Sequence, residues 1–170
     1  MNSFQLKIIA CILMAIDHVG AIMFPDIDLY RIIGRLSFPI FAFLLTEGYI
    51  HTKNLKKYFI RLFIFAIIPQ IPYSLAFGID ILNIFFTLFF GMLAILVDDK
   101  INNVYKKWGL ILGIVVISEL LHMDYGYYGI IMIFLFKKYK DNWKKLIITL
   151  ILLNISIYPI WNLQVFSLVA

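Results

Sequence analysis

Residues 4–24 read FQLKIIACILMAIDHVGAIMF, with only Lys7, Asp17 and His18 as titratable groups apart from the single cysteine. An α-helix rises about 1.5 Å per residue, so a run of about 20 apolar residues crosses a ~30 Å hydrocarbon core. No small-residue cleavage site follows the apolar stretch, and it is expected to be a retained first helix and not a removed leader. Its cysteine, Cys11, is the only one in the chain and has no partner for an internal disulfide.

Six further apolar blocks follow. They run from Tyr30 to Ile50, Tyr58 to Phe77, Ile81 to Val97, Val104 to Leu121, Tyr125 to Phe136, and Leu146 to Ile160. Hydrophobic residues make up 63% of the 170, charged residues 15%, and mean hydropathy is +0.94. A soluble domain needs far more polar surface than this. The sequence therefore predicts an all-α, polytopic transmembrane helical bundle of about seven spans joined by short loops. No Pro/Ser/Gly-rich linker divides it, so residues 1–170 read as a single transmembrane domain. The block at Tyr125 is short, and it pairs with its predecessor either as two crossings or as a shallow hairpin.

The loops alternate in sign. Lys53, Lys56, Lys57 and Arg61 fall in one, Lys100, Lys106 and Lys107 in the next alternate one, and Lys137, Lys138, Lys140, Lys144 and Lys145 in the third. The intervening loops carry Asp26 and Asp28, Asp80, and Asp124, with Arg31 the lone cation beside them. Basic loops stay cytoplasmic, which predicts a multi-pass protein of the cell membrane with its N-terminus inside. The net charge of +5 is thereby explained by topology, and nucleic acid is not an expected partner; the lipid bilayer is.

Polar residues inside the spans each need a reason, because a charge at the bilayer centre costs roughly 2.5–3.5 kcal/mol on insertion scales. Asp17 sits about 10 Å below Phe24, and Arg35 about 8 Å below Tyr30, so an Asp17–Arg35 pair on adjacent helices is expected. Gln70 lies between Pro69 and Pro72, which interrupt the helical ladder and can open a cavity. Asn83, Glu119 and His122 map to the same half of the membrane. Glu47 sits near the opposite end of its span. Each has a structural reading, as a polar lock between helices, and a functional one, as the lining of a polar cavity. His18, beside an acid, is by chemistry a candidate general base, but on the residues alone a satisfied buried histidine is the favoured reading. Glu119 and His122 are three apart, a spacing that suits metal ligation, yet further ligands are lacking and no metal is expected.

Several strings resemble the TraX family of bacterial membrane proteins. They are Leu6-Lys7, Ile16-Asp17-His18-Val19-Gly20, Arg31 through Phe43, Glu47-Gly48-Tyr49, His51-Thr52 and Lys57-Tyr58, followed by Ile71-Pro72, Asn83-Ile84-Phe85 with Thr87 and Gly91, and Asp124-Tyr125-Gly126 with Gly129. The family takes its name from a conjugation protein that acetylates the amino-terminal residue of F-type pilin, and it is similar to transmembrane acyltransferases. The resemblance implies transfer of an acetyl or acyl group from acetyl-CoA or another acyl-CoA, as co-substrate, to an amine- or hydroxyl-bearing acceptor. It implies His18 as general base oriented by Asp17, Arg35 holding a carbonyl or phosphate, and Gln70, Asn83, Glu47, Glu119 and His122 as substrate-binding candidates. Family members usually continue with another span and a Tyr-Pro-x-His segment, so this chain is expected to lack a C-terminal span. Two other functions fit the same residues: a proton-coupled or small-molecule transporter using the Asp17–His18–Arg35 cluster, and a non-catalytic membrane scaffold.

Overall fold

The computed structural model describes residues 2–77 and 80–157. Trp161 and the apolar run Gln164–Ala170 lie outside them, as does the end of the last predicted span.

Nine helical segments occur among the described residues: α1 Ser3–Met23, α2 Asp28–Gly34, α3 Ser37–His51, α4 Leu55–Ile67, α5 Gln70–Phe77, α6 Ile84–Lys100, α7 Val104–Leu120, α8 Gly126–Lys138 and α9 Trp143–Ile157. Two pairs, α2–α3 and α4–α5, are single rods broken by proline, which leaves the seven rods that the apolar blocks predict. Pro39 has no N–H for the carbonyl of Arg35, and its ring crowds that carbonyl, so the ladder breaks at Arg35–Leu36. Pro69 and Pro72 do the same between α4 and α5. Three rods are long and apolar enough to cross a membrane: Ser3–Met23 with 21 residues, Asp28–His51 with 24 and Leu55–Phe77 with 23. The 17-residue α6 and α7 reach about 25 Å and the 13-residue α8 about 20 Å.

Local signals set the ends. In α1, Asn2 Oδ1 accepts from Gln5 N–H at 2.9 Å and Gln5 Oε1 accepts from Asn2 N–H at 3.0 Å, a reciprocal cap. Pro25 ends the helix, because the residue before a proline is pushed out of the helical region; Phe24 sits at φ −136°, ψ 58°. Asparagine caps recur at Asn54, Asn83, Asn103 and Asn142, whose side chains accept from Lys57, Phe85, Lys106 and Lys145 N–H.

The described helices group into two compact units, one made of residues 2–44 and 138–157, the other of described residues between 45 and 137. In the first, α1 and α2 run antiparallel around Pro25. In the second, α6 is the spine. Its buried residues Ile84, Thr87, Leu88, Gly91, Met92, Ala94 and Ile95 recur every three or four positions. A side chain on Gly91 would overlap Ile133 of α8, so the glycine brings these two helices into close contact. Nearly every residue of α8 from Gly126 to Phe134 is buried, which suits a helix too short to face lipid along its length. Large apolar side chains elsewhere are bare: Leu75 is 81% exposed, Ile71 71% and Leu120 71%. Contiguous apolar surface of this kind marks a lipid-facing protein.

Candidate functional site

The strongest polar feature of the first unit is the α1–α2 hairpin. Gly20 stands against Tyr30 and Gly34 against Asp17 so tightly that a Cβ on either glycine would overlap the opposite residue. Phe24 stacks on Tyr30 with ring centroids 5.3 Å apart. At this level Arg31 Nη1 donates to Asp17 Oδ2 at 2.7 Å, with side-chain exposures of 27% and 14%. The other oxygen, Oδ1, is buried and accepts no hydrogen bond, lying instead against Gly34. The partner expected for Asp17 was Arg35; the arginine bonded to it is Arg31, one helical turn earlier. The reason is register. Gly34 occupies the point directly opposite Asp17, so the guanidinium that reaches the carboxylate starts from the preceding turn.

His18 is half-buried on α1. Consecutive helical residues project about 100° apart, and the Asp17 carboxylate is engaged by Arg31. The imidazole thus stands next in sequence to a carboxylate held by an ion pair. Arg35 lies at the α2–α3 break, half-buried.

This packing carries a test. Gly34→Ala places a methyl group against the backbone and Cβ of Asp17, where no rotamer change relieves it. It is expected to destabilise by about 1–3 kcal/mol, the usual range for overpacking. Gly109→Ala and Gly113→Ala, with nothing within 4 Å of the added carbon, are expected to be neutral or slightly stabilising. Melting in detergent compares the three; equal melting points would contradict the close hairpin.

The remaining sequence candidates lie in the second unit, and each has a bond that accounts for its place. Gln70 and Asn83 bind one another. Asn83 Nδ2 donates to Gln70 Oε1 and to Ala66 O, both at 2.8 Å, and Asn83 N–H donates to Gln70 Oε1 at 2.9 Å. Gln70 Nε2 donates to Ile81 O at 2.9 Å and Ser74 Oγ at 3.0 Å. Beside the proline break, Asn83 Nδ2 supplies a donor to the Ala66 carbonyl, and Gln70 ties the break to the residues before α6. Glu119 Oε1 accepts from Tyr127 N–H at 2.6 Å, placing a carboxylate at the start of α8. His122, at φ 46°, and Tyr125, at φ 65°, shape the reversal between α7 and α8. That reversal is tied by Leu82 N–H to His122 O at 3.1 Å, by Asp124 N–H to Leu82 O at 2.8 Å, and by Thr87 Oγ1 to Asp124 O. Gly126, at φ 38° and flush against Glu119, is there for both reasons that favour glycine. Glu47 pairs with His51 one turn later, at 3.3 Å. No group of three or more His, Cys, Asp or Glu residues fit to hold a metal occurs among the described residues.

Sequence reasoning passed over two features. Arg31 was counted as a loop charge, although its spacing of four from Arg35 puts both on one face of the rod. Asp98 and Asp99 stand among lysines, and that reversed charge was the available signal. Asp98 pairs with Lys107 at 3.0 Å, while Asp99 accepts from Lys137 Nζ and from the buried Tyr49 hydroxyl, each at 2.9 Å.

Comparison with known proteins adds the family. The chain is 30% identical over 182 residues to a probable fimbrial assembly protein FimC, serogroup H1, of Dichelobacter nodosus, covering 98% of this chain and 74% of that one. It is 38% identical over 72 residues to the uncharacterized protein RP591 of Rickettsia prowazekii (strain Madrid E), covering 42% of this chain and 27% of that one. No solved structure matches. With residues 3–170 matching the family described as TraX protein, and with its bare apolar helices, the chain is a membrane protein that belongs to the TraX family.

Proposed function

We propose that this protein is a multi-pass membrane acyltransferase with its N-terminus in the cytoplasm. It takes an acetyl or acyl group from a CoA thioester and passes it to an amine or hydroxyl acceptor. The observation that carries this reading is His18, set on an apolar helix beside an aspartate that a 2.7 Å ion pair fixes in place. A charged cluster so costly to insert calls for a use. Family membership supports the reaction class, and the name of the Dichelobacter nodosus relative supports an acceptor among proteins of fimbrial assembly.

In this mechanism His18 takes the proton of the acceptor N–H or O–H as its lone pair attacks the thioester carbonyl. Arg35 stabilises the oxyanion that forms. Collapse breaks the C–S bond and leaves an amide or ester, and the imidazolium returns its proton to the departing thiolate, giving free CoA thiol. Asp17 and Arg31 hold the hairpin that presents His18. Purified protein incubated with labelled acetyl-CoA tests the proposal: label moves to an amine or hydroxyl acceptor, or is released by hydrolysis, and an inert protein contradicts it. A transporter is the second reading, favoured by the two proline-broken rods, since interrupted helices commonly build substrate sites in carriers. It predicts no CoA binding.

The orientation has its own test. Of 15 Lys and Arg, all but Lys7, Arg31 and Arg35 lie in or flank residues 51–57, 98–107 and 137–145, which the proposal places in the cytoplasm. In a Cys11→Ala background, cysteines placed singly at Lys56 and Asp80 are exposed to an impermeant thiol reagent in intact cells. Labelling is expected at position 80 only, and labelling at 56 instead would overturn the topology.

A further inference from the structure

One end of the second unit gathers a cluster of unbalanced positive charge. Helices α4 and α6 are antiparallel: Phe59 and Phe63 meet Phe89 at 5.7 and 5.3 Å, while Phe65 meets Phe85 at 6.3 Å. The start of α4 therefore lies beside the end of α6, and the Asp98–Lys107 pair brings the start of α7 to the same end. Tyr49 and Lys137, both bonded to Asp99, bring the ends of α3 and α8 there as well. The carboxylates that the second unit carries at this end are engaged: Asp98 by Lys107, Asp99 by Lys137 and Glu47 by His51. Five exposed lysines remain, Lys53, Lys56, Lys57, Lys100 and Lys106, with no carboxylate partner among the described residues.

Retention in the cytoplasm requires only that lysines be numerous, and two features go beyond number. Lys56, Lys57 and Lys106 stand in the first turns of α4 and α7, against the positive ends of those helix dipoles, an unfavourable placement that a bound anion reverses. Tyr105, next to Lys106, is 90% exposed and offers a bare aromatic face. Phosphates for the lysines and a flat heterocycle for the tyrosine belong to one class of molecule.

We propose that this end of the second unit binds the 3′-phosphoadenosine diphosphate portion of CoA, with the five lysines around the phosphates and Tyr105 against the adenine. That moiety carries about four negative charges, matched to a patch with five free cations. The assignment rests on the acyltransferase reading and names where the donor is held.

The test is the affinity of full-length protein, in uncharged detergent, for CoA and for dephospho-CoA, which lacks the 3′-phosphate. Lys56→Gln/Lys57→Gln/Lys106→Gln is compared with Lys144→Gln/Lys145→Gln in α9. The caps of α4 and α7 use the backbone N–H of Lys57 and Lys106, so the triple variant keeps them and should elute and melt like the parent. Expected are salt-sensitive CoA binding by the parent, weaker binding of dephospho-CoA, a loss of about tenfold or more in the triple variant and no change in the double. Unchanged CoA affinity in the triple variant, in a protein that still transfers label, overturns this placement alone. Equal losses in both variants show a diffuse charge effect and overturn it too. Binding to phosphatidylglycerol vesicles that depends on these lysines while CoA binding does not would assign the surface to the leaflet. A parent that binds no CoA overturns the placement together with the donor reading.

Discussion

Replacing Arg31 with alanine is expected to destabilise the protein more than any other single change in the α1–α2 hairpin. The Arg31–Asp17 contact is a 2.7 Å charge-assisted bond between side chains 27% and 14% exposed, inside a rod apolar enough to cross a membrane. Removing one partner leaves the Asp17 carboxylate without its one hydrogen-bond donor, since Oδ1 already has none. Breaking a buried pair in this way costs roughly 3–5 kcal/mol. Arg31→Lys should recover part of the loss, because it restores the charge but not the planar guanidinium. The charge swap Asp17→Arg with Arg31→Asp should recover more than the sum of its single changes, the signature of a direct pair. Arg35→Ala leaves the Asp17 bond intact and is expected to cost less. Melting and denaturant titration in detergent distinguish these cases, and an Arg35→Ala protein less stable than Arg31→Ala would return the pairing to the sequence expectation.

That pairing shows where sequence reasoning stops. The seven apolar blocks were legible because burial in lipid imposes length and composition on each segment separately. Pro69 and Pro72 announced their break in the same local way, whereas the break at Pro39 fell inside a block read as one helix. The partner of Asp17 was not legible. Arg31 and Arg35 share a face, and depth along the rod admits either; the choice depends on how closely α1 approaches α2, which Gly20 and Gly34 set. Gln70 and Asn83 were correctly brought to one level, but a shared level cannot tell two residues that face an open cavity from two that bond each other across a break. The Asn83 side chain in front of an apolar helix was a readable cap signal, and it is used as one. Glu119 was read with His122 on a common face, whereas its carboxylate points eight residues ahead to the start of α8. Bonds across a turn depend on its backbone, here with His122, Tyr125 and Gly126 all at positive φ, and such a turn is not written in helical spacing.

The second large effect is on activity. His18→Ala removes the base of the proposed transfer and keeps the hairpin contacts made by Gly20, Gly34, Asp17 and Arg31. General-base catalysis is typically worth about 10²–10⁴-fold, so transfer should fall by that factor with stability near the parent's. His18→Gln, which can hydrogen-bond but cannot take a proton at neutral pH, should be as inactive as His18→Ala. Arg31→Ala, by contrast, should lose activity and stability together, because it acts through the position of α1.

The measurement that reaches the central claim most directly is transfer of label from acetyl-CoA by parent and His18→Ala proteins, purified in detergent and matched for elution and melting. The account predicts transfer by the parent and a loss of at least about a hundredfold in the variant. Parent-level transfer by a folded His18→Ala protein would contradict it.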